Sequence, residues 1–462
     1  MADAITPDTY KTGVWEPTEH EYTVADLEVT GALPPELSGR YFRNGSDAPP
    51  GSHTGHLFLD QGMIHGIRLR AGRAEWYRNR WVRTPTLEGG PSMAFRPDGS
   101  QDSTVVQANT HVIPHGDRIV ALQESGLPYE VDQELNTVGV CDFGGALSGN
   151  LTAHPKVDPD TGDLHAVGCS LTDPTVTYYV IDPKGQLVHS VELTRDVPTF
   201  MHDMGLTEHY VLIYQTPMRY QLDLLERPTY PIIWDDRVQT RIGILPRDGG
   251  ADQIRWVDID PCVIVHTANC REDNAGRIIY EGTQTQRADW EPHWAHLGGA
   301  VSGPDRGQRP TGTVTVAQLH RWIIDPRTGQ VWEEDIDDRS VEFPSINEAF
   351  TMRENRHLYM VGYPGKTGSA NSLLHYDLVR ETQTAYDFPS GQNPGEPEFV
   401  PAENAGGESD GWLISLVSGI GGAPSELVVL DATALADGPV ARVHIPHRVP
   451  MGVHGTWIPD QM

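Results

Sequence analysis

The chain has 462 residues, 38% of them hydrophobic, with 47 glycines and 36 prolines, and it sets 64 acidic side chains against 34 basic ones for a formal charge of −30. Nucleic acid and anionic lipid are bound through clustered Lys and Arg, so this balance excludes both as natural partners. The abundance of turn residues excludes a chain made mainly of long helices.

The first 35 residues are expected to form a segment, partly helical, that packs on the body that follows. "GIRLRAGRAEWYRNRWV" (66–82) and "HPKVDPDTGDLHAVG" (154–168) alternate polar and apolar residues on either side of a turn, the signature of a hairpin. "TYYVIDPKGQLVHSVEL" (177–193) repeats the design around Asp-Pro-Lys-Gly. The insert 219–228 is read as helical. "LHRWIIDPRTGQVWEEDI" (319–336) is another hairpin, turning at Asp325-Pro326 and Gly329, and the stretch 388–409, rich in Gly, Pro and Glu, is expected to be in part a long loop. Hairpins spaced by a few tens of residues predict repeated antiparallel sheets, and a β-propeller holds many such strands in one domain with little exposed edge. No low-complexity linker divides the chain, so residues 1–462 read as a single domain.

Four cysteines, Cys141, Cys169, Cys262 and Cys270, form no Cys-x-x-Cys pair and are too sparse for a disulfide framework, which fits a reducing compartment. The opening "MADAITPDTYKTGVWEPTEHEYT" lacks the basic and apolar regions of a signal peptide, and the longest apolar runs, such as "YVLIY" (210–214), are only strand-length. A soluble, cytoplasmic protein is the expectation.

Spacing alone yields little chemistry: there is no His-Glu-x-x-His, no Gly-x-Ser-x-Gly and no phosphate-binding glycine loop. Of 20 histidines, four share a setting: His154 in "LTAHPKVDP", His202 in "FMHDMGLTEHY", His266 in "CVIVHTANCRED" and His454 in "PHRVPMGVHGTW". Each follows small or apolar residues at or near a predicted strand end. Radial strands can aim such residues at one axis although they lie far apart in the chain. On pattern alone, four separate buried imidazoles bonded to backbone is the commoner outcome. Gly452 and Gly455 beside His454 are expected to let the backbone turn inward.

These passages, with "LSGRYFRNGSD" (37–47), "DQGMIHGIRLRAGRAEWYRNRWVRT" (60–84), "ANTHVIPHGDRIVALQESGLPYEVD" (108–132), "EFPSIN" (342–347) and "GEPEFVP" (395–401), run almost end to end and resemble the carotenoid cleavage oxygenases, the family that includes lignostilbene dioxygenases and the retinoid isomerohydrolase. The resemblance implies an all-β fold, a seven-bladed β-propeller capped on one face by loops and short helices. It implies one Fe(II) per chain on His154, His202, His266 and His454, with Glu124, Glu342 and Glu396 accepting the ligands' other ring N–H groups, and no organic cofactor. The implied reaction is O2-dependent scission of a conjugated C=C bond in a hydrophobic alkene into two carbonyl products. Where lignostilbene-type relatives hold a phenol with a Lys and a Tyr, this chain has Gln123 and, near "SMAFRP", Phe95. That favours a carotenoid or apocarotenoid over a stilbene or 4-hydroxyphenyl alkene, since a buried phenolate would lack partners. Cleavage of such aromatic alkenes is the alternative, and a non-catalytic binding propeller a third reading. No integral membrane segment is expected. Transient contact with lipid stays open, as do the oligomeric state and the bond cleaved.

Overall fold

A computed structural model of the chain describes residues 11–300, 316–364 and 370–460. Its hairpins assemble into seven antiparallel sheets of four to six strands, the blades of a propeller, with a two-stranded ribbon beside them. One device makes many of the hairpin turns. The Asp182 carboxylate accepts the N–H groups of Lys184 and Gln186 while Gly185 takes a left-handed φ of 78°, and Asp273 with Gly276 and Asp325 with Gly329 repeat the pattern.

Ring closure uses both ends of the chain. In the first blade Gly39–Arg43 pairs on one side with Gln61–Arg70 and on the other with the last strand, Gly455–Pro459, so that Arg43 stands opposite Gly455. In the seventh blade the early strand Val29–Gly31 pairs with Pro439–Ile445. The first strands of blades two to six are His111–His115, Lys156–Val157, Gly205–Leu206, Val263–Glu272 and Val341–Ser345.

The core lies between blades and has no single centre. Val176 and Tyr178 of the third blade, Ile242 and Leu245 of the fourth, and Tyr280 and Trp322 of the fifth belong to one buried cluster; Tyr41 and Ile67 of the first blade join Leu427 and Val443 of the seventh in another. Each sheet therefore buries both faces, which explains strands as apolar as Ser425–Asp431.

The cap is built differently from expectation. The N-terminal segment holds a short 3₁₀ turn, Gly13–Trp15, and two edge strands, Thr23–Ala25 and Val29–Gly31; the insert 219–228 carries the 3₁₀ turn Leu222–Glu226 between the paired strands Met218–Tyr220 and Ile232–Trp234. The α-helix among the described residues is Arg287–His296. Pro292 inside it and its surplus of aromatic residues hide it from a periodicity search. Its stop signal is nevertheless legible in Leu297-Gly298-Gly299: Gly299 N–H bonds Trp294 O at 2.8 Å and Gly298 N–H bonds Ala295 O at 3.2 Å, with Gly298 at φ 99°. The 388–409 stretch is also more ordered than a loop. Gln392–Pro394 and Glu398–Pro401 both pair with Gly411–Gly419, and the break between them holds Glu396.

Candidate metal centre

His154 and His202 lie two and three residues before the first strands of the third and fourth blades, and His266 lies within that of the fifth. The Val263–Glu272 ladder shifts register between Ile264 and Thr267, a bulge that re-aims His266. Glu342 sits at a second register shift, in the sixth blade, where Phe343 holds a left-handed φ of 57°. An aromatic residue rarely adopts that conformation, and here it aims the preceding carboxylate inward.

The four buried imidazoles meet. Nε2 of His154 lies 3.0 Å from that of His202, His202 Nε2 lies 3.2 Å from His266 Nε2, and His266 Nε2 lies 3.1 Å from His454 Nε2. The opposite ring nitrogens face carboxylates: His202 Nδ1 to Glu124 Oε1 at 2.6 Å, His266 Nδ1 to Glu342 Oε2 at 2.5 Å, and His454 Nδ1 to Glu396 Oε1 at 3.0 Å. When the three carboxylates are ionised they only accept, which puts the proton on Nδ1 and leaves a bare lone pair on Nε2. The contacts among His202, His266 and His454 thus set lone pair against lone pair. They are not hydrogen bonds, and a cation among them is what makes such a cluster favourable.

The electrostatic shifts divide among these groups. Burial, then the neighbouring imidazoles, pull His154 and His454 well below the usual histidine range, which keeps them neutral and able to ligate. Burial also pulls His266 down, but the Glu342 carboxylate outweighs it and the net shift is upward; Glu342 is held low despite burial by His266, the Phe343 N–H and the Thr283 hydroxyl. Burial pushes Glu396 up to about 8, only partly offset by the Gly455 N–H.

The framework locks each ligand. Thr152 Oγ1 accepts the His154 N–H and donates to His202 O, tying two blades together. Val453 N–H bonds Asn44 O, and Asn44 N–H bonds His454 O. The glycines around His454 do something other than turn the backbone: neither adopts a left-handed φ. They are needed for close approach. A Cβ on Gly452 would overlap the guanidinium of the buried Arg43 and come within 2.8 Å of Asn44 O, and one on Gly455 would meet the Tyr41 hydroxyl at 2.6 Å.

Two cavities flank the cluster. One, of about 370 Å³, opens toward the cap and is lined by Phe58, Phe200, Met218, Trp290, Phe343 and Met451 among others, with His202 and His266 on its floor. The second, of about 440 Å³, runs along the propeller axis past His154, His266, Lys156, Asp203, Glu396 and Glu398.

The remaining expected residues divide. Gln123 lines the cap-side cavity, but its amide is spent on the framework: Oε1 accepts the Gln107 N–H and Nε2 donates to Phe58 O. Phe95 does not reach either cavity. It is 38% exposed, in a bridge with Gln101 that folds its segment back on the surface. A fifth histidine went unnoticed in the sequence. His111, from the second blade, packs its ring 5.4 Å from His154 and 5.2 Å from His454, and its Nδ1–H donates to Ala153 O. Its place in "NTHVIPH", an imidazole just before an apolar run, was the available signal.

Comparison with known proteins places this arrangement. Residues 15–459 match the family model described as retinal pigment epithelial membrane protein. The chain is 35% identical to a carotenoid cleavage oxygenase of Mycobacterium tuberculosis, covering 99% of this chain and 98% of that one, and 29% identical to an isoeugenol monooxygenase of Pseudomonas nitroreducens, covering 99% and 100%. Among solved structures, the lignostilbene dioxygenase of Pseudomonas brassicacearum superposes with a TM-score of 0.85 at 28% identity, covering 98% of this chain and 99% of that one.

Proposed function

The chain belongs to the carotenoid cleavage oxygenases, a family of oxygen-incorporating oxidoreductases, and from that premise we propose that it is a non-haem Fe(II) dioxygenase that splits a conjugated C=C bond of a carotenoid or apocarotenoid into two carbonyl products. The supporting observation is the convergence of four Nε2 atoms, three of them backed by Nδ1–carboxylate bonds, beside an apolar cavity that reaches His202 and His266.

His154, His202, His266 and His454 would hold one Fe(II) per chain. Four neutral imidazoles suit a borderline ion such as Fe(II), and the carboxylates of Glu124, Glu342 and Glu396 balance its charge from behind the ligands. Bound there, iron would supply the capacity to bind and activate O2. The protein's own part is positioning and exclusion of water: Phe200 stacks on His202 at 5.8 Å and 18°, Phe343 packs 5.3 Å from His454, and apolar side chains around them keep the reacting double bond dry. One O2 and one C=C bond account for both carbonyl oxygens, so no reductant or organic cofactor is needed.

The polyene is favoured over a phenolate because no Lys or Arg lines the cap-side cavity among the described residues, and Gln123 is bonded to backbone. The likeness to the lignostilbene dioxygenase supports a second reading, cleavage of an uncharged aromatic alkene in the same cavity. No helix among the described residues is long and apolar enough to cross a membrane. We take the site of action to be the cytoplasm, in keeping with four free, buried cysteines.

The test is to load the protein anaerobically with Fe(II), add O2 with an apocarotenal or a hydroxystilbene, and identify products by mass. Two carbonyl fragments from the apocarotenal are expected. Stoichiometric iron with cleavage of the stilbene alone would shift the assignment to the second reading, and failure to retain iron would overturn both.

A further inference from the structure

The cap-side cavity is not uniformly apolar. Helix Arg287–His296 and the residue after it turn Trp290, His293, Trp294 and Leu297 toward the cavity, positions three and four apart that share one face. The Trp290 and Trp294 rings stack at 5.3 Å and 17°, which fixes that face. Beside them His293 presents an imidazole, and His296 of the same helix also borders the cavity. From the opposite wall comes Tyr363, 9% exposed, in the cluster of Phe343, Phe399 and Met451.

Neither the His293 imidazole nor the Tyr363 hydroxyl makes a side-chain hydrogen bond to any group among the described residues. Contrast the other polar groups of this wall: Gln123 is bonded at both ends, Asn109 donates to Phe58 O and Asp60 O, and Glu124 holds His202. Those groups build the framework, whereas an unbonded imidazole and hydroxyl in an apolar wall carry a desolvation cost that a bound oxygen would relieve.

We propose that His293, with Tyr363, receives a neutral oxygen substituent of the substrate, so that the enzyme selects hydroxyl-bearing conjugated alkenes over congeners that lack the oxygen. The inference rests on the cleavage reading above and names the substrate class within it. Burial pulls the His293 imidazole down to about 4, so at neutral pH it is uncharged and offers one N–H donor and one acceptor, the pattern that matches a hydroxyl. A carboxylate or phenolate would find no cation there. The shared chemistry is a neutral hydroxyl on a conjugated alkene, and its two sources are a ring-hydroxylated apocarotenoid and an uncharged phenol.

Binding to the metal-loaded full chain can be read directly, because Trp290 and Trp294 line the cavity and their fluorescence would be quenched by a conjugated ligand. Two matched pairs serve as probes: 3-hydroxy-β-apo-8′-carotenal against β-apo-8′-carotenal, and 4-hydroxystilbene against stilbene. The pair that quenches identifies the source. In that pair the wild-type protein should bind the hydroxylated member about tenfold or more tightly. His293→Phe should bring the two members to near equality with metal content unchanged, and His293→Gln, which keeps a neutral donor and acceptor, should restore the preference. Should His293→Phe fail to fold, Tyr363→Phe carries the test, with a reduced preference expected. Equal binding by the wild type, an undiminished preference in His293→Phe or, in its place, Tyr363→Phe, or no quenching by either pair would overturn the inference. Discriminating binding without any scission would uphold it and sink the cleavage reading instead.

Discussion

The two cavities that meet at the histidine cluster are close in size and opposite in character. The cap side is walled by Phe200, Met218, Trp290, Phe343 and Met451; the axial side holds His111, Glu348, Glu396, Glu398 and the ion pair of Lys156 with Asp203 at 2.9 Å. His266 borders both, His202 only the cap side and His154 only the axial side. The metal centre therefore sits on a boundary. Apolar walls on one side suit a hydrocarbon chain, while the carboxylates behind the ligands divide between the two: Glu124 and Glu342 border the cap-side cavity, and Glu396, in the gap between two strands of the seventh blade, borders the axial one. A ligand set of neutral imidazoles is workable because negative charge is held one hydrogen bond behind the ligands.

The largest expected disruption of this boundary is loss of a ligand. His202→Ala should abolish metal retention and cleavage, checked by metal analysis, while circular dichroism keeps its β-sheet signature because the blades pack through separate clusters. Next comes the charge behind the ligands: Glu342→Gln, which removes the shortest of the three Nδ1–carboxylate bonds, should weaken metal affinity about 10- to 100-fold in a chelator competition. A smaller effect is expected from Gly452→Ala. Its Cβ would press on Arg43 and displace the segment that carries His454, costing on the order of 1–3 kcal/mol, measurable as a lowered Tm.

Glu396 tests the axial side through pH. Its carboxyl is raised to about 8 by burial, so the folded, metal-free protein binds a proton that the unfolded chain releases at about 4.5. The unfolded state then holds fewer protons, and stability falls as pH rises from about 4.5 to about 8. Denaturant titrations of the metal-free protein should show that decline, and Glu396→Gln should flatten it. The smallest effect belongs to Phe95, which reaches neither cavity: Phe95→Ala should leave kcat/KM unchanged and stability within about 0.5 kcal/mol.

The hairpins were legible because their physics is local: strand alternation and an Asp-x-x-Gly turn are satisfied within some fifteen residues. The helix Arg287–His296 was not, since Pro292 and its tryptophans break the usual periodicity, although its glycine stop could have been read. Gly452 was misjudged for a related reason. Its requirement comes from Arg43, more than 400 residues earlier in the chain, and no local pattern reports that contact. Glu396 lay in a stretch expected to be loop, and only pairing with Gly411–Gly419 showed two strands with the carboxylate in the gap.

What the amino-acid order determined on its own was a set of alternating strands, a turn code between them, and histidines at or near strand ends. Whether those histidines would meet, which nitrogen of each would carry the proton, and which side of the cluster would be dry were decided by ring closure, with Gly39–Arg43 joining Gly455–Pro459. The reason is physical: strand formation follows from neighbours in sequence, whereas a cluster of converging lone pairs exists only after distant strands are held in register around one axis.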